Sequence, residues 1–351
     1  MSAAEDRAES LRMIRESAAA VAVPDLTRVR GLRFRSPGFD RATWAEMCAM
    51  GWPGLRVAED RGGAGLGMGE FCALAEELGA ALVPEPLIGA AMAAELLGKD
   101  EALAGLLDGS RLILPAWQEK ANTLDAGSTR STGRHVSGTK MFIPAAGGAD
   151  AFVVVAGDRA LLVERGASGV TLDLEATQDG GEYGTLRLDN ASVRALGTTG
   201  FAAALDAATL ATSAYLLGVM ERAFALTLDY LRTRHQFGRP IGSFQALQHR
   251  AADLKIQVEL TRASVEAAAA TIDAGTAGAL RRASVSRAKA RASEAAMLVT
   301  RQAIQLHGGI GYTDEADIGL FLRKAMVLSN LYGSAALHRR RFMDAAPDEE
   351  A

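Results

Sequence analysis

The sequence predicts a mostly helical α+β protein in three parts: an N-terminal helical domain over residues 1–108, a small β domain over residues 109–200 and a C-terminal helical bundle over residues 201–351. Two observations predict this order. The outer parts are rich in Ala, Leu, Met and Glu, with apolar residues at helical spacing. The middle part consists of short β-rich runs separated by Gly, Asp and Asn, which are typical of strands joined by tight turns.

The first part is broken at Pro24, at Ser36-Pro37-Gly38 and at the glycine cluster of residues 62–65. Pro and Gly end helices, so we expect helices between these breaks. The two cysteines, Cys48 and Cys72, lie in helical stretches without a CxxC pattern or a His partner. They are therefore expected to be ordinary core thiols, and no metal site is predicted.

The spacing of turns in the middle part predicts a compact barrel or sandwich rather than βαβ units. No GxGxxG pattern follows a strand and opens a helix, so a Rossmann domain is not expected. The runs predicted as strands are RLILPAW from Arg111, AFVVVAG from Ala151, ALLVERG from Ala160, VTLDL from Val170 and GTLRLDN from Gly184.

The third part begins with a long helix predicted over residues 206–234, which carries apolar residues at helical spacing. Pro240 cannot donate a backbone hydrogen bond and disfavours helix at Arg239, so the helix ends before it. Ser243 is a favourable N-cap from which a second helix is expected to start. Tight turns between successive helices predict a bundle. Further amphipathic runs cover residues 253–274, 279–307, 314–331 and 333–343.

Composition excludes some classes of function. The net charge is −4, with no long Lys/Arg tract, so nucleic-acid binding is not expected. The N-terminal stretch alternates acidic and basic residues and has no apolar core, unlike a signal peptide. No uninterrupted run of about 18 apolar residues is present, so no membrane span is predicted. A cytoplasmic protein is the expectation.

The stretch Arg234–Leu254, RHQFGRPIGSFQALQHRAADL, places cationic and amide side chains beside Phe237 where two helices meet. Such a set could hold a pyrophosphate or simply face water. Its RxxFGxxI and FQxxQHxxAD patterns resemble the acyl-CoA dehydrogenase family, FAD-dependent enzymes that introduce a double bond next to an acyl thioester. The segments Gln305–Thr313, QLHGGIGYT, and Trp44–Gly79 resemble further parts of that family's pattern.

The resemblance implies which residues bind FAD. Glycines at such positions allow a backbone to approach a phosphate closely. Matched residue by residue, the implied contacts to the FAD pyrophosphate and adenosine are Arg234, Gln236 and Phe237, with Gln245 beside them. The implied contacts to the FAD of a neighbouring subunit are Gln305, Gly308 and Gly309, and Ser334 is a further implied cofactor-binding residue.

The residue that should remove the substrate proton is missing. A carboxylate suits this step because burial can raise its pKa towards the operating pH. At the family's usual Glu position the sequence has Tyr332, whose ordinary pKa of about 10 makes it a poor base. The family's alternative position, on the long helix, is Ala208. Asp206 lies nearby in sequence but would point roughly 200° away around that helix.

Two further departures lie in the β domain. Phe142-Ile143-Pro144 stands where family members carry Trp-Ile-Thr, and Pro144 offers neither a hydroxyl nor a backbone N–H to the flavin. The family's loop that helps to hold acyl-CoA is replaced by Trp117-Gln118-Glu119-Lys120. Flavin and substrate contacts from this domain are therefore expected to be weak.

A chain that keeps the cofactor motifs and lacks the base resembles the non-catalytic partner in heteromeric acyl-CoA dehydrogenases of actinobacterial sterol side-chain degradation. The resemblance implies FAD, a heterotetramer with a homologous Glu-bearing subunit, a sterol-like acyl-CoA substrate at the assembled site and an electron-transfer flavoprotein as electron acceptor. Two alternatives stay open. One is a self-sufficient homo-oligomeric dehydrogenase with an unidentified base, and the other is an assembly scaffold without FAD.

Overall fold

Helices form both ends of the chain and strands form its middle, as the sequence predicts. A computed structural model describes residues 3–198 and 200–346, apart from the side chains of residues 3, 4 and 6. The outermost predicted boundaries, residues 1 and 351, lie outside this part. The N-terminal helices are α1 (Ala3–Ala18), α2 (Thr27–Leu32), α3 (Arg41–Ala49), α4 (Met68–Ala80), α5 (Leu87–Leu97) and α6 (Ala102–Leu107).

Eight strands in the middle of the chain form two four-stranded sheets. The strands are β1 (Ile113–Ala116), β2 (Arg130–Thr132), β3 (His135–Pro144), β4 (Ala151–Ala156), β5 (Arg159–Glu164), β6 (Val170–Ala176), β7 (Glu182–Ser192) and β8 (Arg194–Thr198). Their orders are β1-β4-β5-β8 and β2-β3-β7-β6, with only the β1–β4 pair parallel among these described strands. Both sheets are open in the described part of the chain, so the closed-barrel alternative is wrong.

The C-terminal part is a series of helices interrupted by one hairpin. Its elements are α7 (Phe201–Thr233), β9 (His235–Gln236), β10 (Arg239–Pro240), α8 (Gln245–Asp273), α9 (Gly278–His307), α10 (Ile318–Leu328) and α11 (Ala335–Ala345). The predicted start of a helix at Ser243 is wrong. Ser243 lies in the short 3₁₀ turn Ile241–Ser243, and its hydroxyl donates to the carbonyl oxygen of Pro240 (2.7 Å) instead of capping α8.

The chain divides into two compact units that do not follow sequence order. One contains Met1–Thr27, Cys72–Val83 and Leu210–Ala351, and the other contains Arg28–Phe71 and Pro84–Thr209. The units are defined by spatial compactness, whereas the three predicted domains were defined by sequence pattern. The three-domain division therefore stays a prediction.

Within the first unit, α4 and α7 cross with their backbones in contact. A Cβ atom added at Gly218 would lie 1.9 Å from the carbonyl oxygen of Glu76, and one added at Gly79 would lie 2.1 Å from that of Tyr215. Only glycine permits this approach. The Arg262 guanidinium bridges the carboxylates of Glu76 and Glu221 in the same unit.

Helix α7 is long and apolar enough to cross a membrane by length and composition, and it is alone in this among the described helices. The sequence predicts no membrane span here, because polar residues interrupt the apolar positions of the helix. In the structure, 94% of its most apolar window is buried within the chain. This burial is what a core helix of the fold requires.

Candidate cofactor site and base position

The hairpin after α7 presents an exposed aromatic ring. Strands β9 and β10 are joined by Phe237 and Gly238, whose φ angles are +55° and +78°. Two positive φ values are the signature of a type I′ turn, which suits a two-residue hairpin loop. Gly238 takes this conformation freely, whereas Phe237 does not. The Phe237 side chain is 90% exposed at the tip.

An aromatic residue after the hairpin contacts both its tip and its second strand. The Phe244 ring lies edge-on to Phe237, with 6.1 Å between ring centroids, and the Arg239 guanidinium lies 4.1 Å from the Phe244 centroid. This cation–π contact commits Arg239 to the structure of the hairpin. Arg234 differs, since its exposed side chain makes no hydrogen bond or ion pair with any described residue. Gln236 donates from Nε2 to the carbonyl oxygen of His235 (2.9 Å).

The second predicted motif forms the turn that ends α9. Gly308 has a φ of +66°, a conformation that favours glycine, and the chain continues through the 3₁₀ segment Gly308–Tyr312. A Cβ atom added at Gly308 or Gly309 would meet no atom within 4 Å. Gln305 and both glycines are exposed. The turn therefore offers open backbone surface to a ligand.

The two motifs rest on neighbouring residues of the last turn of α7. The His307 ring stacks on the Tyr230 ring, with 4.5 Å between centroids and 21° between planes. A Cβ atom added at Gly242, just beyond the hairpin, would lie 2.8 Å from the carbonyl oxygen of Leu231. Segments about seventy positions apart in sequence are thus anchored on one turn of helix.

The chemistry of the exposed donors fits a pyrophosphate. Arg234 supplies a guanidinium, and Gln245, the first residue of α8, supplies an exposed amide. Gln305 supplies a second exposed amide beside the glycine turn. Charge-assisted bonds from arginine and close backbone approach at glycine are the usual means of holding phosphates. This donor set could hold the diphosphate of FAD.

Two remaining predicted site residues lie in the segment before α11. Ser334 is the N-cap of α11, and its hydroxyl accepts a hydrogen bond from the backbone N–H of Leu337 (3.3 Å). Tyr332 is only 3% exposed and has a φ of +56°. Burial raises the pKa of its phenol further above the ordinary value. Tyr332 is therefore an even weaker base than a free tyrosine.

The alternative base position also lacks a side chain that could accept a proton. Ala208 is buried on α7, and Asp206, two residues earlier, is fully buried. Among the described residues, no group of three or more His, Cys, Asp and Glu side chains could hold a metal ion. Cys48 and Cys72 are both buried thiols, and burial raises the pKa of Cys48 to about 12.

Buried polar side chains that the sequence analysis missed hold the segment around Tyr332. The Lys289 side-chain nitrogen donates to the carbonyl oxygen of Leu328 (2.6 Å), and the Ser293 hydroxyl donates to the carbonyl oxygen of Ser329 (3.2 Å). His338 donates from Nε2 to the carbonyl oxygen of Tyr332 (2.8 Å). These donors fix the backbone whatever side chain stands at residue 332.

Lys289 and His338, the two titratable side chains among these donors, are fully buried. Burial lowers the pKa of Lys289 to about 7. Burial also lowers the pKa of His338 to about 3, and the nearby Lys289 and Arg341 charges act in the same direction. His338 is therefore neutral at physiological pH. With Nε2 donating, its Nδ1 accepts from the Ser286 hydroxyl (3.2 Å).

In the second compact unit, a buried ion pair holds the loop that replaces the expected acyl-CoA segment. The Lys140 ammonium is fully buried and contacts Glu119 (2.8 Å) and the carbonyl oxygens of Trp117 (3.1 Å) and Ala126 (2.6 Å). Burial alone would raise the pKa of Glu119, but its hydrogen bonds from Lys140, Thr129 and two backbone N–H groups lower it to about 2. The polar groups of this loop are thus committed within the chain.

The Phe142-Ile143-Pro144 segment ends strand β3. Phe142 has a φ of +58°, and its ring lies edge-on to Tyr183 with 6.2 Å between centroids. The β3–β7 pairing shifts register between Lys140 and Ile143. Pro144 pairs with Tyr183 at the end of the strand.

Comparison with known proteins gives a consistent result. The family profile "Acyl-CoA dehydrogenase, N-terminal domain" matches residues 8–101, and "Acyl-CoA dehydrogenase, C-terminal domain" matches residues 197–346. The acyl-CoA dehydrogenase IpdE2 of Mycolicibacterium smegmatis is 34% identical over 344 residues, which cover 95% of this chain and 97% of that protein.

Two solved structures are also similar over nearly their whole length. A variant of the Tcur3481–Tcur3483 steroid ACAD superimposes with a TM-score of 0.87 at 31% identity, covering 97% of this chain and 98% of that chain. The ChsE4–ChsE5 complex of Mycobacterium tuberculosis superimposes with a TM-score of 0.86 at 29% identity, covering 97% of each chain.

Proposed function

The chain belongs to the acyl-CoA dehydrogenase family, and we propose that it serves there as a subunit without its own catalytic base, which completes the FAD site of a homologous Glu-bearing chain. The observation that carries this proposal is the contrast between two sites. The base position holds Tyr332, which is buried, whereas Arg234 and the glycine turn are exposed and uncommitted. The chain thus retains the features that hold a cofactor and lacks the group that would react.

Two relatives support a heteromeric assembly and a steroid-like substrate. One similar structure is that of the Tcur3481–Tcur3483 steroid ACAD, and another is that of the ChsE4–ChsE5 complex. By analogy, we propose a heterotetramer in which the assembled site takes a bulky, steroid-type acyl-CoA. The expected location is the cytoplasm, and the expected electron acceptor is an electron-transfer flavoprotein.

The residues of this chain would bind and orient the cofactor. FAD, the cofactor of this family, when bound accepts the hydride that leaves the substrate β-carbon. Arg234 would pair with the pyrophosphate, and Gln245 and Gln305 would donate amide hydrogen bonds beside it. Removal of the α-proton would fall to the carboxylate of the partner chain. The closed loop around Glu119 supports a minor role for this chain in substrate binding.

Expression of the chain alone and with a homologous Glu-bearing chain from the same host tests the proposal. We expect negligible dehydrogenation by the chain alone, because a positioned general base contributes about 10²–10⁴-fold to rate. The co-expressed complex should be yellow and active, and replacing the partner's Glu with Gln should abolish turnover. Flavin absorbance and acyl-CoA-dependent reduction of an electron acceptor are the measurements.

The alternatives predict different results in the same experiment. Robust turnover by the chain alone would establish the self-sufficient dehydrogenase, and Tyr332→Phe would then show whether the phenol takes part. If the complex is active but this chain makes no contact with the flavin, the chain is an assembly scaffold. In that case, the colour and turnover of the complex would be unaffected by changes at Arg234.

Arg234→Ala should weaken FAD binding by the co-expressed complex about tenfold or more. A charge-assisted hydrogen bond to a phosphate contributes on the order of 1.5–3 kcal/mol, and the Arg234 side chain makes no bond within the described chain whose loss would confuse the result. Arg232→Ala is the matched control, since Arg232 is an exposed arginine two positions away that pairs with Asp229. Equal FAD retention by the two variants would contradict the assignment.

A further inference from the structure

We infer that Tyr230 and His307 form a positioning pair that holds the hairpin and the glycine turn as one cofactor-binding surface. This inference rests on the proposed function. Neither residue belongs to the set that the sequence predicted to contact FAD. Their role follows from how the two rings connect segments that are distant in sequence.

The orientation of His307 is fixed. Its Nδ1 lies 2.8 Å from the carbonyl oxygen of Ala303, one turn earlier in α9, so Nδ1 carries the proton and donates. The side chain is buried, and burial lowers the pKa of the imidazole. A neutral ring in a single tautomer therefore lies flat against Tyr230 immediately before the Gly308 turn.

Tyr230 contacts both motifs at once. Its ring stacks on His307, and its carbonyl oxygen accepts the backbone N–H of Arg234 at 2.9 Å. The far end of the hairpin is also fastened, because the backbone N–H of Ile241 donates to the carbonyl oxygen of Arg234 (2.8 Å). A shift of Tyr230 would therefore displace the proposed pyrophosphate contact together with the glycine turn.

The glycine turn needs such an anchor because it has little packing of its own. Gly308 and Gly309 have open space where side chains would project. Glycine also has the greatest backbone freedom of any residue. The contacts on either side are the His307 stack and the close packing of Gly311 on the backbone of Ile304. Holding a turn in its bound conformation reduces the entropy lost on binding.

The test compares ring-removing and ring-preserving variants in the co-expressed complex, with FAD as the probe. His307→Leu and Tyr230→Leu should raise the dissociation constant for FAD about five- to tenfold, because they remove the stack. His307→Phe and Tyr230→Phe keep two stacked rings and should remain within about twofold of wild type. Thermal unfolding of each variant is measured alongside.

A double substitution tests the coupling directly. In the His307→Leu background, Arg234→Ala should weaken FAD binding less than about threefold, since the two motifs no longer act together. Phe321→Leu serves as the control for general destabilisation, because Phe321 is a fully buried ring on α10 outside both motifs. It should lower thermal stability without changing the effect of Arg234→Ala.

Three results would overturn the inference. The stack has no positioning role if the leucine variants bind FAD as wild type does. A purely structural role is indicated if leucine and phenylalanine variants lose FAD alike, in proportion to their loss of thermal stability. If the wild-type complex itself holds no FAD through this chain, the proposed function fails first and the inference fails with it.

Discussion

Replacing Glu119 with alanine is expected to lower the free energy of unfolding by about 3–5 kcal/mol. The Lys140 ammonium, which is fully buried, would lose its counter-charge. The backbone N–H groups of Ser128 and Thr129 would also lose their acceptor. Urea unfolding followed by tryptophan fluorescence measures this effect. All three tryptophans lie in the same compact unit as Glu119.

Two controls separate this cost from a general effect of losing a carboxylate. Adding Lys140→Met to Glu119→Ala removes the stranded charge and should recover part of the lost stability. Asp173→Ala breaks the exposed pair with Arg187 and should change stability by less than about 1 kcal/mol. A Glu119→Ala variant no less stable than Asp173→Ala would show that the ion pair does not organise the loop.

This expected result bears on function as well as on stability. In the family that the chain resembles, the corresponding loop helps to hold acyl-CoA. Here Glu119 and Lys140 satisfy each other and the surrounding backbone. Since a polar group already bonded within the chain must break that bond to bind a ligand, this loop is poorly suited to substrate binding. These committed contacts support a subunit that relies on its partner for substrate binding.

Long helices and apolar strands could be predicted from the sequence because their patterns are strong. The pattern predicts helix α7 over residues 206–234, and the helix extends over Phe201–Thr233. Strand β4 lies within the apolar run predicted for it, and β5 begins one residue before its predicted run. Strands β2, β3 and β8 were missed. Most of their residues are not buried, so they lack the alternating apolar pattern that identifies a half-buried strand.

The candidate site was only partly predictable. Arg234, Phe237 and Gly308 could be proposed as site residues because the local sequence resembles a known motif. The Tyr230–His307 stack and the Lys289 contact were not found, because they join residues that are distant in sequence and follow no local period. A lysine within an alanine-rich helix gives no sign in sequence of whether it is buried.

A large pH effect is expected at Lys289. Its pKa is about 7 in the folded protein against an ordinary value of 10.5, because burial disfavours the charged form. Between these values the unfolded chain binds a proton that the folded chain does not, so stability rises with pH. The stability that depends on a neutral Lys289 is fully present above the unfolded pKa of 10.5, and it is lost as the pH falls from that value through about 7.

The unfolding free energy of the wild type should therefore rise by about 1.5 kcal/mol between pH 7 and 8.5, given about 1.4 kcal/mol per unit of pKa difference. Lys289→Met should abolish this rise. At pH 8.5 deprotonating Lys289 still costs the wild type about 2.7 kcal/mol, which exceeds the contribution of about 1 kcal/mol from its hydrogen bond to Leu328, so the variant should be the more stable protein at both pH values. Urea unfolding followed by circular dichroism measures both values.

Lys255→Met is the control, since Lys255 is half exposed and pairs with Glu259. An identical pH slope in wild type and Lys289→Met would mean that Lys289 keeps its charge in the folded protein, and that the segment around Tyr332 is anchored by an ammonium ion rather than by a neutral amine.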